Sequence, residues 1–273
     1  MTPISPWCLP ACGISGIDVR HFSPPSSRSI VKQGVIMNRR NLLAVFGAMA
    51  AASACPAHAQ PYGAQGCRLL GTAADSFRDS VDLVDSCGVT LIDQTFPVER
   101  QILVQLFGVD PSFAFFDDRD GPNAFATTEQ IAGPSAHGSV CFGTTLLRSE
   151  LNRTWWGAAV AGIAAHEWAH IKQAERTRRF GLPWGPVVKR ELQADYMAGW
   201  YLRRKNMAGT PVVLDGLGES LFNKGDFDFN NPDWHGTPQQ RVEAMIAGFA
   251  NGHMFWNADG AYDASAALVG IPG

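Results

Sequence analysis

The sequence predicts an α+β domain in which a small antiparallel sheet precedes a long helical block. Three observations carry this. Short aromatic and apolar runs at 112–116, 123–128 and 138–142 are separated by turn residues, as strands are. From residue 156 onward, stretches at 156–179, 187–207, 211–223 and 238–249 read as helices. No internal repeat occurs at periods of about 20 to 50 residues, which excludes a solenoid or propeller. Strands that precede helices, and do not alternate with them, give the α+β pattern. The composition, 46% hydrophobic and 17% charged, excludes a disordered or fibrous chain. A formal net charge of -3 argues against the basic face of a nucleic-acid binder. No stretch reaches the about 18 consecutive apolar residues of a membrane helix.

At the N-terminus, Met37 is followed by Asn38-Arg39-Arg40-Asn41, an apolar run from Leu42 to Ala54, and Pro56-Ala57-His58-Ala59. A basic start, a short apolar centre and an A-x-A site read as a secretory signal peptide over 37–59, cleaved after Ala59. Gly, Ala and Ser fill the run without a helical pattern of polar positions, which disfavours a buried core helix. Residues 1–36 are Pro/Ser-rich around Pro24-Pro25-Ser26-Ser27 and fit an upstream mis-start or a disordered extension. Arg39-Arg40-Asn41-Leu42-Leu43 resembles a twin-arginine signal, and Ala52-Ser53-Ala54-Cys55 a lipoprotein cleavage box without its Leu. The expectation is a periplasmic or secreted domain over 60–273, about 214 residues long, with 17 basic and 24 acidic side chains. Three of the six cysteines remain in it: Cys67, Cys87 and Cys141. In an oxidising compartment at most one internal disulfide can form among them, with three pairings open and a free buried thiol as the plain reading of the third.

Within that domain, 73–86 and 98–107 read as helices, the second closed by Gly108. Ser112-Phe113-Ala114-Phe115-Phe116 reads as a strand, Asp118-Arg119-Asp120-Gly121 as a turn, and 123–128 as the next strand. Residues 181–186, with Pro at 183 and 186 and Gly at 181 and 185, form a loop that lets helix 187–207 fold back antiparallel on helix 156–179.

The chemistry concentrates on those two helices. His166-Glu167-Trp168-Ala169-His170 places two imidazoles one helical turn apart on one face, where both can bind one Zn²⁺, with Glu167 between them. Gln173 and Arg176 stand where a longer zinc motif requires Gly and a third His, so the third ligand must come from elsewhere. Glu191-Leu192-Gln193-Ala194-Asp195 on the following helix supplies it: Glu191 completes a His₂Glu set, and Asp195, one turn on, holds a ring N–H of His166. Alone, such an E-x-x-x-D pair is usually a solvated acidic face. Asp226-Phe227-Asp228-Phe229-Asn230 mimics the start of a calcium loop but has Asn231 and Thr237 where that loop needs Gly and Glu, so it reads as an acidic loop. Trp155-Trp156 read as packing at the head of the helix. His137 and His253 have no partners in spacing.

H-E-x-x-H followed by E-x-x-A-D resembles the gluzincin metallopeptidases. It is most similar to the family of CAAX prenyl endopeptidases and bacterial heat-shock-type zinc proteases, and to bacterial neutral zinc metallopeptidases. Pro122-Asn123-Ala124-Phe125-Ala126 resembles that family's edge strand, and residues 138–147 the strand and helix start after it. His235-Gly236-Thr237-Pro238-Gln239-Gln240-Arg241-Val242 resembles its late His…Arg segment, with Gly236 where the family has Pro. The likeness covers roughly residues 122–246. It implies a zincin-like fold with a long active-site helix and an antiparallel glutamate helix. It also implies that Asn123 marks where a substrate backbone pairs, that His235 hydrogen-bonds the oxyanion, and that Arg241 positions this segment. On their own, Asn123 reads equally as a turn-flanking residue and His235 as a solvated loop side chain.

The expected function is that of an exported zinc peptidase acting on protein or peptide substrates, with Glu167 as general base. The alternatives are a non-catalytic zinc-binding or chaperone-like relative, which would need the ligands but not Glu167, and a plain structural domain.

Overall fold

The computed structural model describes residues 81–119, 122–151, 156–212, 214 and 235–273. The chain divides into a unit Met1–Ala59 and a unit Gln60–Gly273, and every described residue belongs to the second. The expected signal segment, Cys67, the calcium-loop mimic, Trp155, the side chain of Trp156 and all but residues 211, 212 and 214 of the expected helix 211–223 lie outside the described residues.

Ten main elements follow in order: β1 Leu83–Val84, α1 Thr90–Phe107, β2 Ser112–Phe116, β3 Ala124–Thr127, β4 Ser139–Gly143, α2 Thr144–Leu151, α3 Trp156–Phe180, α4 Val187–Met207, α5 Pro238–Asn251 and α6 Ala258–Val269. The α+β class holds. The sheet, expected to be antiparallel, is mixed. Its order is β1-β2-β4-β3, with β2 and β4 parallel and the outer pairs antiparallel. β2 and β3 are therefore not hairpin neighbours, because β4 lies between them. Asp118 explains the different path: it is buried, and its carboxylate accepts the main-chain N–H groups of Asn123, Thr145 and Leu146. One side chain thus ties the start of β3 to the first turn of α2, accepting from N–H donors that a helix start leaves unpaired.

Two helical expectations change. The end of 73–86 is a strand, where Leu83 and Val84 pair with Phe116 and Phe115 of β2. Edge pairing overrides local helical preference there. Helix 98–107 begins eight residues earlier, at Thr90, and runs through Pro97. Burial of Ile92 and Phe96 offsets the interior proline, and Phe96 stacks on Phe113 at 4.4 Å between ring centroids. Helix α6 was not anticipated, although Asn257 caps its start and Gly270 (φ +68°) its end.

Helix α3 runs through the centre of the domain. Its residues Ala164, Ala165 and Ala169 are fully buried, and such small side chains let α4 and the sheet approach closely. One face of the sheet (Phe115, Ala124, Ala126, Val140, Phe142) joins this helical core. The other carries a smaller cluster of Phe116, Phe125 and Cys141. Cys87 belongs to the first cluster and Cys141 to the second, and both are free buried thiols, so a Cys87–Cys141 bridge does not occur. No helix among the described residues is long and apolar enough to cross a membrane.

Helices α4 and α5 meet backbone to backbone. A Cβ added at Gly248 would lie 1.8 Å from the Tyr196 carbonyl oxygen, and one at Gly199 would lie 2.0 Å from that of Met245. Gly248→Ala must push the helices apart. It is expected to cost about 3 kcal/mol, lowering the calorimetric midpoint by roughly 6–12 °C. Gly157→Ala, at an open position near the start of α3, serves as the neutral control.

Candidate metal centre

His166 and His170 project from one face of α3 with their Nε2 atoms 3.1 Å apart and their rings nearly perpendicular. Glu191 of α4 reaches between them. Its Oε2 is 3.3 Å from His166 Nε2 and its Oε1 3.3 Å from His170 Nε2. All three side chains are buried, and among the described residues they form the group whose donor atoms converge closely enough to hold a metal ion. Asp195, one turn along α4, sets Oδ1 2.9 Å from His166 Nδ1, the ring nitrogen facing away from Glu191. The solvated acidic face is thereby excluded, since Glu191 is 3% and Asp195 0% exposed.

Arg241 of α5 closes the arrangement from the third side. Its Nε and Nη2 donate to the two oxygens of Asp195 at 2.8 and 2.9 Å, a bidentate fork, and Nη2 lies 3.7 Å from Glu191 Oε2. The capping box of Thr237 and Gln240, with Pro238 in the first turn, sets the start of α5 and so the height at which Arg241 enters.

These charges are strongly coupled. Burial disfavours ionisation of Glu191, but His170 and His166 outweigh it and hold that carboxyl well below its ordinary range. Burial works against ionised Asp195 too, and Arg241 followed by His166 reverses it. For His166, burial is outweighed by Asp195 and then Glu191, which raise the imidazole to about 9. Glu167, Glu191 and Asp195 are all buried with one guanidinium, Arg241, so the site favours a further positive charge, for which a proton and a bound cation compete.

Glu167 is buried beside His166, and its carboxylate is close enough to Cys141 on β4 to add to the burial that pushes that thiol up to about 12. It therefore lies toward the sheet. His235 is 2% exposed, which rules out a solvated loop side chain. The next residue, Gly236, has φ +97° and faces Val188 and Leu192 of α4, so the segment packs on the helix that carries Glu191. Proline cannot adopt that φ, which accounts for the glycine at this point. His235 is not one of the converging donors. Asn123 is half-buried just before edge strand β3, its main chain bonded to Asp118 and to Gly143.

Two participants were not foreseen. Gln173 is buried, and its Oε1 lies 2.8 Å from His170 Nδ1. Gln193, also buried, is bonded to Gln173. A polar amide on an otherwise apolar helix face, three residues after the second histidine, was the available signal. His137 accepts from the Asp110 N–H, and His253 lies on the surface against the Ala250 carbonyl, both away from the site.

Comparison of the chain with protein-family models, curated proteins and solved structures gave no match.

Proposed function

We propose that this chain is a zinc-dependent peptidase, exported by its 37–59 segment. The observation that carries the reading is the buried convergence of His166, His170 and Glu191 with Glu167 beside them on α3. Four ligands at about 2.0–2.1 Å around a tetrahedral zinc stand roughly 3.3–3.4 Å from one another. The two Nε2 atoms are 3.1 Å apart, and each has one Glu191 oxygen at 3.3 Å, Oε2 for His166 and Oε1 for His170, close to that spacing. A two-nitrogen, one-carboxylate set suits zinc better than calcium or magnesium, which favour oxygen ligands. A zinc ion held there supplies Lewis acidity to water and to a peptide carbonyl.

The remaining chemistry belongs to the protein. Glu167 accepts the proton of the attacking water and returns it to the leaving amine nitrogen. His235, fixed on α4 by the Gly236 turn, donates to the carbonyl oxygen as negative charge develops. Edge strand β3, with Asn123 just before it, pairs with an extended substrate backbone. Asp195 and Arg241 keep the His166 ring in place and take no proton.

The test is metal analysis of the purified protein together with hydrolysis of casein, with and without chelator. One zinc per chain and chelator-sensitive cleavage are expected. Protein purified without zinc and unable to take it up would end the proposal. Stoichiometric zinc without hydrolysis would replace it by a non-catalytic zinc module.

A further inference from the structure

The environment of His170 differs from that of His166. His166 has a carboxylate behind it, whereas His170 has a neutral amide, Gln173, whose hydrogen bonds can be counted completely. The Gln173 Nε2 carries two N–H donors. One goes to the main-chain carbonyl of Arg190 at 2.8 Å and the other to Gln193 Oε1 at 2.9 Å. A main-chain carbonyl only accepts. Turning the Gln173 amide over would set its oxygen against the Arg190 oxygen and leave a buried acceptor pair without a proton. Gln193 is held in the same way, because its Nε2 donates to the Tyr262 main-chain oxygen at 3.3 Å. With both amides fixed by backbone acceptors, Gln173 Oε1 must face His170 Nδ1, which must then carry the proton.

We propose that Gln173 and Gln193 form a tautomer lock that holds His170 in its Nδ1–H form, with the Nε2 lone pair presented to the metal. They are positioning residues. The lock is anchored at Arg190 in α4 and at Tyr262 in α6, so the C-terminal helix takes part in presenting a ligand on α3. Because the amide is neutral, His170 is oriented without adding a further carboxylate to a site that already buries Glu167, Glu191 and Asp195. A carboxylate in place of Gln173 would have no N–H for either Arg190 or Gln193.

This inference rests on the zinc reading for its purpose, but not for its first measurement. In metal-free, ¹⁵N-labelled wild-type protein, long-range ¹H–¹⁵N spectra should show His170 protonated at Nδ1 and bare at Nε2. A predominant Nε2–H form overturns the lock, whatever metal the protein binds. The second measurement is zinc affinity by chelator competition. Gln173→Met, close to Gln in shape, should bind zinc about 10–100-fold more weakly and lose the single Nδ1–H form. Gln193→Met, which leaves the His170 contact in place, should show a smaller loss of the same kind. Zinc affinity within twofold of wild type in both variants, with the tautomer unchanged, overturns the proposal. Should Gln173→Met not fold, the wild-type spectrum and Gln193→Met decide it. A wild-type protein that binds no zinc defeats the proposed function, while the tautomer spectrum still tests the lock.

Discussion

On the proposed zinc-peptidase reading, Glu167→Gln is expected to keep the metal and lose roughly 10²–10⁴-fold in kcat, the range that a positioned general base supplies. Glutamine matches glutamate in shape but cannot take a proton from water. Glu167 is outside the converging donor group, so removing its charge leaves His166, His170 and Glu191 intact. The measurement pairs metal content with the rate of peptide hydrolysis. A variant within threefold of wild-type activity, still holding one zinc, would show that another group takes the proton. The reverse result, loss of zinc along with activity, would make Glu167 a metal ligand.

Arg241→Met should have the largest effect on stability. Asp195 is fully buried and receives two hydrogen bonds from that guanidinium, so the variant leaves a carboxylate in the interior with His166 as its remaining charged neighbour. Breaking such a pair from one side costs about 3–5 kcal/mol, which corresponds to a thermal midpoint lower by roughly 6–20 °C in a domain of this size. The loss should be smaller in zinc, because the cation restores part of the missing positive charge. Arg241→Lys keeps the charge without the fork and should fall between wild type and Arg241→Met. A midpoint unchanged in both metal-free variants would mean that Asp195 is held by something other than Arg241.

What could be read in advance was what lies on a single helix. His166 and His170 share a face because they are one turn apart, and the same holds for Glu191 and Asp195, so periodicity alone brought four of the site's side chains within one helical pair. The fold-back followed from the glycines and prolines of 181–186. The sheet was less legible. Strand order depends on pairings between distant segments, and nothing in Asp118 itself reveals that it turns inward to gather three N–H groups rather than closing a hairpin. Gln173 and Gln193 escaped notice for a different reason. Glutamine is an ordinary helix former, and the partners that give these two meaning are main-chain oxygens, one of them on a helix that was not anticipated. Gly236 shows the converse: the glycine is plain in the sequence, and only its backbone angle, φ +97°, gives the reason for it.

The three side chains that could hold a metal belong to one helical hairpin. From His166 to Glu191 the chain leaves helix only over residues 181–186, so little loop entropy remains for a metal to remove when it joins the two arms. An ion bound there is a local clasp and does not cross-link distant parts of the chain. Its stabilisation should concentrate in α3 and α4, while β1 to β4 and α1 keep their own cohesion through the aromatic core around Phe96. News of metal binding can leave the hairpin by two routes: the guanidinium of Arg241 toward α5 and the amide of Gln193 toward α6. In hydrogen exchange, metal removal should therefore be felt by those two helices before it reaches the sheet.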